Sequence, residues 1–311
     1  MQIDHDYLLS TLKKAIQINS VLPHEEALAA FFADEIRKLG IEPDWDVVAP
    51  GRPNVYALAD LGPAPDMLLL TGHLDTVDVA ANWATNPFEA VERDGKLYGL
   101  GSYDMKSGLV CALAAFKALV EERSLHGKLG KIAFAATVDE EALGIGAKAL
   151  LKTAYGKSAG IFLTEPFGGR NISSAVPLGL TGKVLYKLTV TGKMAHGFYP
   201  ERGHNAVEAA SKIVAALDRL PLYTHPTYGR GNYSTLKMTG GYKAYAIVVP
   251  EQCEVIITRL TVPGESRASA VADMRQLIDS LNLDCTVTIE TPAPFYEPYL
   301  IDPDSKLANS F

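Results

Sequence analysis

Apolar residues follow two different rhythms along this chain of 311 residues. Up to about residue 175, helical spacing alternates with short, densely apolar runs. In "EEALAAFFADEIRKLG" (25–40) apolar residues recur at the helical period, with Pro23 ahead and Gly40 as the stop. "NVYALAD", "MLLLT", "KIAFAATV" and "GIFLT" read as strands. The last three are nearly all apolar, as strands covered on both faces by helices are. "SGLVCALAAFKALVEE" and "GIGAKALLK", lying between them, read as helices. The pattern predicts an α/β sheet with helices on both sides.

From about residue 183 the rhythm changes. "KVLYKLTVTG" alternates apolar and polar as a half-buried strand does, and "HNAVEAASKIVAALDRL" reads as a helix ended by Pro221. "YSTLKMTG", "AIVVP" and "CEVIITRLTV" give successive strands, "ESRASAVADMRQLIDSLN" a second helix and "CTVTIE" a last strand. This order is close to β-α-β-β-α-β, a compact two-layer unit. We expect a first domain over 1–177, a two-layer α+β domain over 178–290 inserted into it, and a start of the return to the first domain over 291–311. The length agrees, since it exceeds the usual size of one hydrophobic core.

Composition narrows the partners. Hydrophobic residues make up 48% and charged residues 21%, the balance of an ordinary globular protein. A formal charge of -7 with no Lys/Arg run argues against a nucleic-acid partner. Cys111, Cys253 and Cys285 are odd in number and far apart, which argues against a disulfide framework or a Cys-x-x-Cys metal site. "MQIDHDYLLS" lacks the basic start of a secretory signal. The longest apolar stretch, "GLVCALAAFKALV" (108–120), is too short to span a membrane and contains Lys117. The expectation is a cytoplasmic protein with a small-molecule partner.

Acids and histidine collect just past the apolar strands, where α/β sheets bind ligands. "LLLTGHLDTVD" (68–78) carries His73, Asp75 and Asp78. His73 and Asp75, two apart, fall on one face of an extended chain, and imidazole suits zinc, cobalt or manganese. A capping Asp beside a surface His is the plainer alternative. Asp104 lies in "LYGLGSYDMKSG", where Gly99 and Gly101 permit unusual backbone angles; a helix N-cap is its commoner role. The stretch fits neither G-x-G-x-x-G nor the P-loop. "TVDEEALG" sets Asp139, Glu140 and Glu141 side by side, a repulsion that a divalent cation would relieve and that a solvated acidic turn would also explain. Glu165 follows "IFLT" directly, with Pro166 behind it. Four strand ends of this kind suit a two-metal site that activates water, with one free Glu as general base.

"GHLDTVD", "DGKLYGLGSYDMKSG", "TVDEEALGIGAKAL", "LTEPF" and "GKMAHGFYPERGHNAVEAA" together resemble the co-catalytic zinc exopeptidases and deacylases. That family includes carboxypeptidase G, aminoacylase-1, acetylornithine deacetylase, succinyl-diaminopimelate desuccinylase and peptidase T. The motifs stand in the family's order over nearly the whole chain. The resemblance implies a mixed-sheet catalytic domain with an inserted lid and dimerisation domain. It implies that His73 and Glu165 bind one metal, Glu141 the other, and Asp104 bridges both. Glu140 would be the general base and Asp75 would orient His73. His196, in the inserted domain, would steady the oxyanion in the partner subunit's site, although a surface His on a turn is the alternative. Arg259 resembles the lid arginine that clasps a substrate carboxylate, and Asn205 matches a position at a helix start where capping is the alternative role.

The chain departs from the family at Leu100, where Arg is usual, and at Ile247, where Asn is usual. The family's second metal also takes a His from a returning C-terminal segment, and no His follows His225 here. On that ground we expect an incomplete chain, with its second metal held weakly by Asp104 and Glu141. The activity implied is hydrolysis of an amide or peptide bond beside a free carboxylate, with two Zn²⁺ per complete subunit (Co²⁺ or Mn²⁺ as substitutes) and a homodimer formed through the lid. Deacylase, dipeptidase and carboxypeptidase share these residues, with acetylornithine-type deacylation the first guess. A noncatalytic or single-metal protein of the same fold, acting in binding or dimerisation, is the alternative.

Overall fold

A computed structural model describes residues 3–166, 178–244 and 246–310. The chain divides into two compact units, Met1–Ser173 and Ser174–Phe311. The expected domain boundary at 177/178 adjoins residues 167–177, which lie outside the described ones, as does Phe167 of "LTEPF".

The first unit opens with helices α1 (His5–Gln17) and α2 (Glu26–Arg37), then antiparallel strands β1 (Asp44–Ala49) and β2 (Arg52–Asp60). Strand β3 (Met67–His73), the small hairpin β4 (Val91–Arg93) and β5 (Lys96–Tyr98), and helix α3 (Lys106–Glu121) follow. Strand β6 (Lys131–Thr137), helix α4 (Ile145–Leu150) and strand β7 (Gly160–Leu163) complete it. The five-stranded sheet runs β1-β2-β6-β3-β7. Strands β6, β3 and β7 are mutually parallel and β2 is antiparallel to β6, which makes the sheet mixed.

Alternation along β6 explains the solid apolar run seen in sequence. Ile132, Phe134 and Ala136 face a core shared with Leu12 and Ile16 of α1, Leu28 and Phe32 of α2, and Leu113 and Phe116 of α3. Ala133 and Ala135 face the other side, where Leu69, Leu150 and Tyr155 pack. Because neither face meets water, no polar residue marks the pleat. The helical pattern at 25–40 forms α2, and Gly40 past its end has φ +75°, a backbone angle that suits glycine.

The second unit contains β8 (Gly179–Leu180), β9 (Gly182–Thr191), α5 (Ala206–Ala215), the hairpin β10 (Thr224–His225) and β11 (Gly229–Arg230), and β12 (Asn232–Gly240). Strand β13 (Gln252–Thr261), α6 (Arg267–Asp279), β14 (Thr286–Glu290) and β15 (Tyr299–Leu300) follow. Its antiparallel sheet runs β12-β13-β9-β14. Val184, Tyr186, Leu188 and Val190 of β9 and Val255 and Ile257 of β13 share a core with α5 and α6. The expected two layers are present. The expected strand at "AIVVP" is reduced to one bridge, Val248 to His196, flanked by bonds from Gly197 N–H to Ile247 O and from Val249 N–H to Ala195 O. The segment expected to begin the return, 291–311, pairs within the second unit: Tyr299 with Leu180, and Tyr296 with Lys183. Among the described residues, no helix is long and apolar enough to cross a membrane.

Phe134 stacks on Phe32 at 5.9 Å and lies 6.2 Å from Phe116, at the centre of the first core. Phe134→Ala is expected to destabilise the first unit by about 3–5 kcal/mol, read from denaturant unfolding with the second unit's transition as internal reference.

Candidate metal centre

Parallel pairing sets the strand ends level. His73, the last residue of β3, is paired with Thr137 of β6, and Thr71 with Leu163 of β7. The residues just beyond β6 and β7 therefore emerge beside His73. These are Glu140 and Glu141 on one side and Glu165 on the other.

The His73 ring is buried, and its Nδ1 lies 2.9 Å from the backbone oxygen of Asp75. A carbonyl only accepts, so Nδ1 carries a proton and Nε2 is the atom left to take either a second proton or a cation. Around Nε2 stand Asp104 Oδ1 at 3.2 Å, Glu165 Oε2 at 3.7 Å and Glu140 Oε2 at 3.9 Å. Acceptors thus face an acceptor, which needs a proton or a cation between them. Burial alone would lower the His73 pKa, but the carboxylates of Asp104, Asp75 and Glu165, accepting hydrogen bonds from the ring, push it up to about 12, so that with no cation bound a proton sits on Nε2. Burial, then Asp104, pushes the Glu141 carboxyl up to about 7, and burial raises Glu140. The cluster is short of positive charge. One ligand atom from each of His73, Asp104 and Glu141 fits within a span of 4.8 Å. An imidazole nitrogen among carboxylate oxygens is the donor set of a zinc-class divalent cation, and the residues present fit one.

Each side chain has a local reason for its place. Asp75 is fully buried; its Oδ1 accepts from Glu140 N–H at 3.1 Å and its Oδ2 from Glu141 N–H at 2.9 Å. It therefore holds the His73 ring through its carbonyl and the Glu140–Glu141 backbone through its carboxylate. Asp104 ends a turn in which Lys106 N–H bonds Gly101 O and Gly101 has φ +76°. Of the two glycines singled out in sequence, Gly101 supplies that angle. Gly99 instead admits Ile16, which a Cβ would meet at 2.3 Å. The N-cap of α3 is Met105, with no side-chain cap bond, so Asp104 is free of the capping role. Asp78 is exposed and bonds its neighbour's N–H, away from His73.

Asp139, the first of the three adjacent acids, stands apart from the cluster. It is buried, has φ +69°, and pairs with Arg52 at 2.8 Å. Three further residues, Asn54 and Lys106 buried and Arg52 largely so, support the centre without any local spacing that marks them. Arg52 joins Asp139 to Glu25. Asn54 accepts from Val138 N–H at 3.0 Å and donates to Gly146 O at 3.0 Å, lacing both ends of the Glu140–Glu141 turn to β2. Lys106 donates to Ala15 O at 3.0 Å and Ile18 O at 2.8 Å at the end of α1, and burial pulls its ammonium down to about 7. A polar residue inside an apolar strand or a helix start was the available signal; the partners are remote in sequence.

His196, Asn205 and Arg259 belong to the second unit. His196 is exposed; its Nδ1 accepts from Phe198 N–H at 3.2 Å, which places its proton on Nε2. Asn205 caps α5, accepting from Val207 and Glu208 N–H, the alternative role weighed for it. Arg259 departs from the expectation. Its side chain is fully buried, and its Nη2 is engaged by Glu265, by Asp273 at 2.9 Å and by Pro221 O at 3.0 Å. This guanidinium, closed to solvent and paired with two acids through Nη2, ties α6 to β13, while its buried Nε and Nη1 have no hydrogen-bond partner among the described residues.

The family model for "Peptidase family M20/M25/M40" matches residues 69–310. A succinyl-diaminopimelate desuccinylase of Methylorubrum extorquens is 32% identical over 224 residues, 69% of this chain and 57% of that protein. The chain thus spans under two thirds of the length of that curated relative. Aminopeptidase PepT of Bacillus cereus superposes with a TM-score of 0.76 at 20% identity, covering 99% of this chain and 80% of that one. A dinuclear metal binding peptidase of the M20 family from Bacillus subtilis superposes with a TM-score of 0.68 at 16% identity, covering 96% and 76%. Those two likenesses share the fold. From the strand-end acids around His73 and a family match over most of its length, the chain belongs to peptidase family M20/M25/M40.

Proposed function

We propose that this chain is a zinc-dependent hydrolase of amide or peptide bonds in small substrates carrying a free carboxylate, with N-acyl amino acids as the favoured class. The observation that carries the reading is the His73 Nε2 set 3.2 Å from Asp104, 3.7 Å from Glu165 and 3.9 Å from Glu140, an excess of carboxylate around one imidazole that a cation would balance. The N-acyl preference is supported by the desuccinylase relatives at about a third identity.

In this reading His73, Asp104 and Glu165 hold one ion, and Asp104 and Glu141 contribute to a second. When bound, such ions lower the pKa of water and polarise a carbonyl. The protein's own groups supply the rest. Glu140, raised in pKa by burial and half exposed, accepts a proton from the attacking water and returns it to the departing amine. Asp75 keeps the His73 proton on Nδ1 and the Glu140 backbone in place. His196 would offer its Nε2–H to the oxyanion in the partner subunit's site, as the family resemblance implies. Arg259, buried and paired with Glu265 and Asp273, is given no role in this reading.

We further propose a homodimer formed through the second unit and a cytoplasmic setting. The support for the dimer is β12, an edge strand with Leu236 58% exposed and Met238 two positions further along it.

Elemental analysis together with hydrolysis of N-succinyl and N-acetyl amino acids and dipeptides tests the reading; no bound metal and no turnover would overturn it. Glu140→Gln is expected to lower kcat by about 100- to 10,000-fold while metal content stays at the wild-type level. If metal is lost with it, Glu140 is a ligand and the base lies elsewhere. Asp75→Asn sets an amide group against two N–H donors and is expected to weaken zinc binding about 10- to 100-fold in a metal-buffered titration, and unchanged affinity would refute its orienting role.

A further inference from the structure

Arg52 is a buried cation for which the proposed chemistry has no use. Its Nε donates to Glu25 Oε2 at 2.9 Å and Oε1 at 3.2 Å. Its Nη2 pairs with Glu25 again and, at 2.8 Å, with Asp139 Oδ1. All three side chains are nearly closed to solvent, at 13% for Arg52, 0% for Glu25 and 4% for Asp139. Glu25 sits at the start of α2, so the far end of this bridge is anchored in the helical layer.

Asp139 is the hinge between that anchor and the metal centre. Its other oxygen, Oδ2, accepts from Leu143 N–H at 3.0 Å and Ile145 N–H at 3.3 Å, and its carbonyl accepts from Gly144 N–H at 2.7 Å. It holds φ +69°, an uncommon angle for a residue with a Cβ, and the chain there turns sharply from β6 into Glu140 and Glu141. On the opposite side Asp75 grips the N–H groups of the same two glutamates. The turn is therefore clamped twice, by Asp75 next to the metal ligands and by Arg52 from behind.

We infer that Arg52 is a positioning residue of the metal centre: acting through Asp139, it fixes the turn from which Glu140 and Glu141 project. The inference rests on the site reading proposed above. The physical need is specific to arginine. Only a planar fork reaches two carboxylates from fixed directions, whereas an ammonium is a single point of charge. Without Arg52, the Asp139 carboxylate would be buried, uncompensated and next to two more acids. It would then move outward toward solvent, and the turn would follow it.

The test uses Arg52→Lys, Arg52→Met and Asp139→Asn in the full chain, with Arg37→Met as control. Arg37 pairs with Asp34 and Glu42 on the surface, away from the centre. Co²⁺ titration followed by its visible absorption reads the ligand geometry, thermal melting reads the fold, and kinetics are taken on the substrate the wild type turns over best. Arg52→Lys, which keeps a cation against Glu25, is expected to fold, to bind Co²⁺ about 10- to 100-fold more weakly with an altered spectrum, and to lose kcat with KM changed by less than about two-fold. Asp139→Asn is expected to match it, and the double variant to lose no more than either single one. Arg37→Met should be indistinguishable from wild type in Co²⁺ affinity and spectrum. Variants that melt earlier yet keep wild-type Co²⁺ affinity, spectrum and kcat would reduce Arg52 to a structural ion pair and overturn the inference alone. A wild type that takes up no Co²⁺ or Zn²⁺ would instead sink the site reading and this inference with it.

Discussion

The register of three parallel strands is the constraint on which the metal centre depends. With His73 level with Thr137 and Thr71 level with Leu163, the chain leaves the sheet at three adjacent points on one edge. Parallel strands end in the same direction, so whatever follows them must converge. Here a histidine and three acids follow, with Asp104 delivered by the turn that starts α3. A slip of one residue between β3 and β6 would turn His73 to the other face of the sheet and dissolve the cluster.

Convergence of acids has an electrostatic cost, and the surrounding structure manages it by dividing labour among carboxylates. Asp75 and Asp139 are buried and spend their oxygens on backbone N–H groups or on Arg52. Glu140, Glu141 and Asp104 remain partly open, with two of them raised in pKa by burial and mutual repulsion. The structural acids are satisfied by the protein and the functional ones are left wanting a cation. In the second unit Arg259 is likewise buried and paired with two acids, Glu265 and Asp273.

Much of this was legible in the sequence, and the remainder was not for identifiable reasons. Apolar runs bounded by Asp, Glu and His mark strands that end in a site, and both the sheet and the ligand candidates follow from that pattern. "AIVVP" has the apolar composition of a strand, and composition does not reveal that its pairing stops at one bridge, to His196. Asp139 could not be told from Glu140 and Glu141, as the three are adjacent and differ only in which way a turn with positive φ points them. Arg52, Asn54 and Lys106 act on partners far along the chain, and long-range pairing leaves no local spacing to read. Arg259 sits in a motif that suggests recognition, whereas burial beside Glu265 and Asp273 decides its role.

The grip of Lys106 on α1 has a consequence for how this fold can vary. Its ammonium bonds two main-chain carbonyls, at Ala15 and Ile18, rather than any side chain. Main-chain oxygens are the same for every residue type, so the contact is blind to sequence at those two positions. The first helix is thus free to drift in composition wherever the core permits, provided that it ends at the same place. Its length is held more tightly than its letters, and a deletion of one residue within it would disturb the Asp104 turn more than most substitutions could.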